Sequence, residues 1–140
     1  MSGSQDDLRK WILENMTSEA VSELDLHKEE AAKLVTLSPD GVVIPRIDRT
    51  KLDTPTEILL VLLGRAYAAA AGLVESDAVT NDELVRMVKG TPGGQRWALT
   101  KLRQENLVAT ATRGSHHLLP SQVGRAMKAI KEKAAPEAIP

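Results

Sequence analysis

The chain has 140 residues, 42% of them apolar and 26% charged, with a formal net charge of −1, seven prolines and no cysteine or phenylalanine. That length suits one compact domain with an appendage, and the apolar share is enough for a core, so two full domains are not expected. Disulfides and thiolate chemistry are excluded, and with aromatics at 2% the core must be aliphatic and closely packed, which favours helices meeting through small side chains.

Charge is unevenly spread along the chain. Residues 1–85 carry 8 Lys and Arg against 16 Asp and Glu, whereas residues 86–140 carry 10 against 3, a net of −8 followed by +7. Such asymmetry points to a polyanionic partner on one face, with a merely solvated charged face as the alternative. The opening MSGSQDDLRK lacks a basic region followed by an apolar stretch, so no secretory signal is expected and a cytoplasmic protein is the default. The longest apolar run, Ile58 to Leu73, is interrupted by Gly64, Arg65 and Tyr67 and is too short for a bilayer, so a buried helix is expected and a membrane partner is not.

In chain order, residues 1–4 are small and polar and should fray. From Asp6 onward Leu8, Trp11, Ile12 and Met16 recur at helical spacing, which predicts a first helix to about Asn15. Val21, Leu24 and Leu26, continued by 29–33, predict a second. The run KLVTL-SPDG-VVIPRI reads as a hairpin in which Pro39 presets φ, Gly41 takes the left-handed position and Pro45 confines the second strand to an edge.

At TPTE, Thr54 is expected to cap a helix, Pro55 to fill its first turn and Glu57 to complete a capping box. The following ILLVLLGRAYAAAAGL is apolar almost all round and predicts the central buried helix. Gly64, Ala68 and Gly72 form a ridge of minimal side chains for a neighbouring helix, in this chain or alternatively in a second copy. At TNDE a capping box of Thr80 and Glu83 opens a shorter helix that buries Leu84, Val85 and Val88 and stops at Gly90. After Thr91-Pro92-Gly93-Gly94 the next helix runs to about Glu105, with Asn106 suited to the left-handed position beyond its end. Two strands, LVATATR and HHLLP, flank Gly114-Ser115; a last helix spans about Ser121 to Lys133, and the tail reads as disordered.

Residues 54–133 thus run helix, helix, turn, helix, hairpin, helix. With NDELVRMV as a supporting helix, ALTKLRQENLV leading from a recognition helix into a wing, and RGSHHLLP as wing tip and return strand, the chain resembles the winged helix-turn-helix family. The resemblance implies a mainly α fold with a small β component: a winged helix-turn-helix over 51–133, an N-terminal helix and β-hairpin extension over 1–50, and a disordered tail over 134–140. It also implies a small transcriptional regulator or architectural protein of prokaryotic, archaeal type that binds double-stranded DNA through a recognition helix (93–105) and a wing (107–119). Many members of the family dimerise, so a homodimer is a further expectation.

On a helical wheel Gln95, Ala98, Leu99, Leu102 and Asn106 fall on one side of the third helix, and Trp97, Thr100, Lys101 and Gln104 on the other, flanked by Arg96 and Arg103. In relatives the outer face enters the major groove, which makes Arg96, Trp97, Thr100 and Gln104 the candidate base-facing set. The candidate phosphate contacts are Arg86, Lys89, Arg96, Lys101, Arg103, Arg113 and Arg125, with Arg113 placed by the resemblance at the wing tip along the minor groove. Gly93 and Gly94 leave backbone N–H groups uncovered at the positive end of the helix, where they serve either a phosphate or only the turn. Trp97 could stack on sugar or bases, anchor a protein partner, or be covered by the N-terminal segment. Gln95 departs from the small aliphatic usual at its position, and a slight turn of the helix would bury part of Trp97.

His116 and His117 are adjacent on a strand, point to opposite faces and lack a cysteine or carboxylate cluster, so a structural or phosphate-contact role is favoured over a metal. No Ser-His-Asp order, Walker loop, HExxH or paired-carboxylate context occurs. No catalytic residue, cofactor, metal or small-molecule ligand is therefore expected. Two other functions compete with DNA binding: a protein-docking module using Trp97 and the wing, and RNA binding.

Overall fold

The computed structural model describes residues 2–15 and 20–134. Within them lie helices α1 (Ser2–Asn15), α2 (Ala20–Leu26) and α3 (Lys28–Leu34), strands β1 (Val35–Leu37) and β2 (Val43–Pro45), and helix α4 (Thr54–Ala70). Strand β3 (Val79–Thr80), helices α5 (Asn81–Met87) and α6 (Pro92–Gln104), strands β4 (Val108–Thr112) and β5 (Ser115–Leu118) and helix α7 (Val123–Ala134) complete the order. Single 3-10 turns occupy Arg49–Lys51 and Pro120–Gln122. The fold is mainly α with a small β component. The expected disordered tail falls on 135–140, outside the described residues, while Ala134 still belongs to α7.

The second predicted helix is divided at His27, so 20–34 forms two short helices. The hairpin forms as expected. Gly41 has φ +84, its N–H donates to the Ser38 carbonyl at 2.9 Å, and β1 and β2 pair antiparallel with Thr36 opposite Ile44 and Val35 opposite Pro45.

Helix α4 is capped one residue earlier than the sequence suggested: Asp53, not Thr54, accepts the Thr56 N–H, at 2.9 Å. Glu57 does not reach back to close a capping box; it is 2% exposed and points inward. From Ile58 to Leu63 every side chain is buried, which makes α4 the central element as expected. The two glycines of the small-residue ridge have other purposes than helix packing. A Cβ on Gly64 would lie 2.5 Å from a Val43 methyl, so the missing side chain admits strand β2. Gly72 has open space around it and serves instead as the left-handed residue (φ +75) that ends α4, with the Leu73 N–H donating back to the Ala68 carbonyl.

Helix α5 has the expected capping box of Thr80 and Glu83, but it ends at Met87, and Val85 lies 46% exposed rather than buried. Strand β3, too short to carry a sequence pattern, pairs with β5 to give the sheet order β3-β5-β4. From 54 to 134 the elements run α4, β3, α5, α6, β4, β5 and α7, the order of helices and hairpin read from the sequence with β3 added between the first two helices.

Residues 24–47 of the extension are not a separate body. One apolar cluster runs from Leu24, Leu34 and Val43 through α4 to Val123 and Ile130. Around it the Tyr67 hydroxyl donates to the Leu24 carbonyl at 2.6 Å, and Lys131 pairs with Glu30. Among the described residues no helix is long and apolar enough to cross a membrane.

Candidate nucleic-acid interface

Helix α6 begins where Thr91 caps it, its hydroxyl accepting the Gly94 N–H at 3.0 Å, with Pro92 in the first turn. It ends in a Schellman closure: Asn106 has φ +60, and the Asn106 and Leu107 N–H groups donate back to the Arg103 and Leu102 carbonyls, each at 3.0 Å. The chain is thereby turned directly into β4, which fixes how the β4–β5 hairpin leaves the helix.

The rotation of α6 is set by Gln95. This side chain is 3% exposed, and its amide nitrogen donates to the carbonyls of Leu84 at 3.1 Å, Val88 at 3.0 Å and Lys89 at 3.4 Å. These carbonyls belong to the end of α5 and the residues after it, which have few helical partners of their own. A polar residue at a core-facing position is thus satisfied by the helix end it covers, and α5 and α6 are joined at a fixed angle. Ala98, Leu99 and Leu102 are buried on the same side, as the wheel predicts, whereas Asn106 is exposed and off the helix.

The opposite side is open. Arg96, Trp97, Thr100, Lys101 and Gln104 are all exposed, Trp97 at 64%, and the Lys101 ammonium sits 5.7 Å from the Trp97 ring centroid, within cation–π range. Trp97 thus stands mostly open, with the Lys101 ammonium over its ring. Thr100 donates back to the Arg96 carbonyl at 2.9 Å, and the only acidic residue in 92–105 is Glu105 at the far end. Gly93 has nearly free space beside it, while the Gly94 N–H is already used by the cap.

Among the described residues no ion pair engages Arg86, Arg96, Lys101, Arg103, Arg113 or Arg125. Three cations of the expected set are nonetheless committed internally. Lys89 donates through Nζ to the Leu52 and Arg49 carbonyls, and Arg125 donates to the Glu105 carbonyl at 3.2 Å and to Gln122 at 2.7 Å. Arg103 is half-buried, bonded to Thr100 at 3.3 Å and to His116 at 3.5 Å. Arg86 at the end of α5 and Arg113 in the turn between β4 and β5 are exposed.

His116 ties the β4–β5 hairpin to α5 and α6. It is 5% exposed, with Nε2 2.7 Å from Asn81 Oδ1 and Nδ1 facing the Arg103 guanidinium. Burial, aided by the Arg103 charge, holds its pKa below the usual histidine value and favours the neutral ring, for which a proton on Nε2 matches the Asn81 Oδ1 acceptor. His117 points the other way and lies 3.3 Å from Asp77. Among the described residues no cluster of three or more metal-ligating side chains occurs.

The turn before α6 is held by a residue that the sequence marked for a different role. Glu57, buried on α4, accepts the Lys89 backbone N–H at 2.9 Å and the Arg49 guanidinium at 3.0 Å, while Arg49 also reaches the Met87 carbonyl. The local pattern at Glu57 pointed to a capping box and Asn81 had none for this role, because the Lys89 N–H and the His116 ring that they meet lie 32 and 35 residues away. Gln95 did carry a signal, a polar residue on an apolar face. Comparison of the chain with protein-family models, with curated proteins and with solved structures gave no significant match.

Proposed function

We propose that the chain binds double-stranded DNA, with α6 lying in the major groove and the β4–β5 wing on the neighbouring backbone, as a small transcriptional regulator or architectural protein. The observation that carries this reading is the open side of α6. In a chain whose acidic residues outnumber its basic ones, Arg96 and Lys101 have no carboxylate partner among the described residues, and they flank an exposed Trp97, Thr100 and Gln104. Arg and Gln are the side chains that read guanine and adenine edges, and Lys neutralises phosphate. Because Lys89, Arg103 and Arg125 have internal partners, the first phosphate contacts are assigned to Arg86, Arg96, Lys101 and Arg113. A homodimer, as winged-helix relatives form, would set the spacing of two half-sites, and sizing of the protein with and without duplex reports it.

The test is salt. Affinity for a labelled duplex should fall steeply between low and physiological ionic strength, and the double variant R96A/R113A should lower the slope of log K against log salt by about 2, one for each phosphate no longer neutralised. Affinity that ignores salt would refute the reading. Tighter binding to single strands or structured RNA than to duplex would replace it with the RNA alternative.

A further inference from the structure

A second recessed site lies on the extension, built from different residues than α6 and the wing. Between α3, the outer edge of β1 and the side of α4 there is an open cleft of about 270 Å³. Its lining is mainly apolar, Ala31, Ala32, Val35, Leu37 and the Tyr67 ring; Val35 and Leu37 alternate with Thr36 along β1, so the lining spans both sides of the free edge of that strand. Tyr67 stays a neutral wall: its hydroxyl is committed to the Leu24 carbonyl, and burial, reinforced by the Asp25 charge, pushes its pKa up to about 12.

The rim is cationic. Arg46 lines the cleft and is exposed, with no ion pair among the described residues. Thr36 stands opposite Ile44, and Arg46 is two residues further along that strand, so the pleat puts the Thr36 hydroxyl and the Arg46 guanidinium on the same side of the hairpin. Lys28, at the other end of the cleft, is already paired with Asp25 at 3.0 Å. Backbone donors add to this. The Arg46 N–H bonds to the Leu34 carbonyl and the Ser38 N–H to the Val42 carbonyl, so alternation turns the Leu37 N–H away from β2, toward the free edge.

We propose that this cleft binds a small amphipathic carboxylate, its apolar body against Ala32, Val35, Leu37 and Tyr67 and its carboxylate on Arg46 and the Thr36 hydroxyl. Three features favour this class. The volume suits an apolar body of roughly six to ten carbons. The unpaired guanidinium matches a carboxylate in shape as well as charge, and no acidic residue lines the cleft to favour an amine.

Octanoate, octanol and octylamine are suitable probes, titrated against the full chain by calorimetry with thermal melting as a second readout. Octanoate should bind saturably in the millimolar range or below and raise the melting temperature, octanol should bind about tenfold more weakly, and octylamine should not bind. R46Q should reduce octanoate affinity about tenfold and leave octanol unchanged. A32L, a surface change to a good helix former, should weaken both by filling the cleft. Circular dichroism melts of the two variants establish that each is folded. Equal affinity for octanoate and octanol, indifference to R46Q, or no saturable octanoate binding up to about 10 mM would overturn the proposal.

Discussion

Replacing Gln95 by Leu tests how α6 is aimed. The substitution keeps the size and apolar fit of the stem but removes the amide that serves the end of α5. Its bond to Leu84 at 3.1 Å is the more dispensable, because that carbonyl also accepts the Val88 N–H at 2.9 Å. Its bond to Val88 at 3.0 Å is not, since that carbonyl would be left beside a 5% exposed residue without a protein donor. A buried carbonyl without a partner costs about 1–3 kcal/mol, and loss of the Leu84 bond adds about 1, so Q95L should be destabilised by roughly 2–4 kcal/mol. For a chain of this size that corresponds to a melting temperature lower by about 5–15 °C. Urea and thermal unfolding followed by circular dichroism read the change directly. A Q95L protein that melts at or above the parent temperature would mean the amide is not buried against α5, and the face assigned to the groove would have to be reassigned.

Two further outcomes follow from packing and titration. In G64A the new methyl would meet the Val43 methyls at 2.5 and 2.7 Å, a crowding cost of about 1–3 kcal/mol that outweighs the gain of about 1 kcal/mol from better helix propensity. Adding V43A should relieve the crowding, so a chemical-denaturation cycle should show G64A less harmful in the V43A background; a G64A protein more stable than its parent contradicts this packing. His116 has a lowered pKa in the fold, so the unfolded chain takes up its proton first as acidity rises. Its stabilisation is complete above the ordinary value of 6.5 and is lost as pH falls below it. The difference in stability between the parent and H116Q should therefore shrink from pH 7 to about 5, where carboxylates still hold their charge. A difference that stays constant or grows over that interval would show that the ring is not buried as a neutral group.

The elements of this chain were legible where their signals are local. The Thr80 and Glu83 capping box, the Gly41 turn, the all-apolar α4 and the Asn106 terminus each depend on residues within a few positions of one another, and each forms as read. Misreadings arose where a distant partner decides. Gly64 looked like a helix-packing notch, but the element that fills it is a strand 21 residues earlier, and periodicity cannot name a partner. Glu57 had the right spacing for a capping box and was diverted to Arg49 and the Lys89 N–H, a stronger use for a buried carboxylate. The candidate interface divides the same way. The outward set on α6 follows from one helical wheel, whereas the internal engagement of Lys89, Arg103 and Arg125 depends on which carbonyls and rings the fold brings near them.

The carboxylate of Glu57 has a mechanical meaning. By gripping the loop ahead of α6 from the centre of the molecule, and by binding Arg49 from the extension, it makes that loop part of a rigid frame. A partner that used the open side of α6 would find that surface already shaped, so little disorder would have to be frozen out on contact. Loosening that frame, by contrast, would act on both halves of the chain at once.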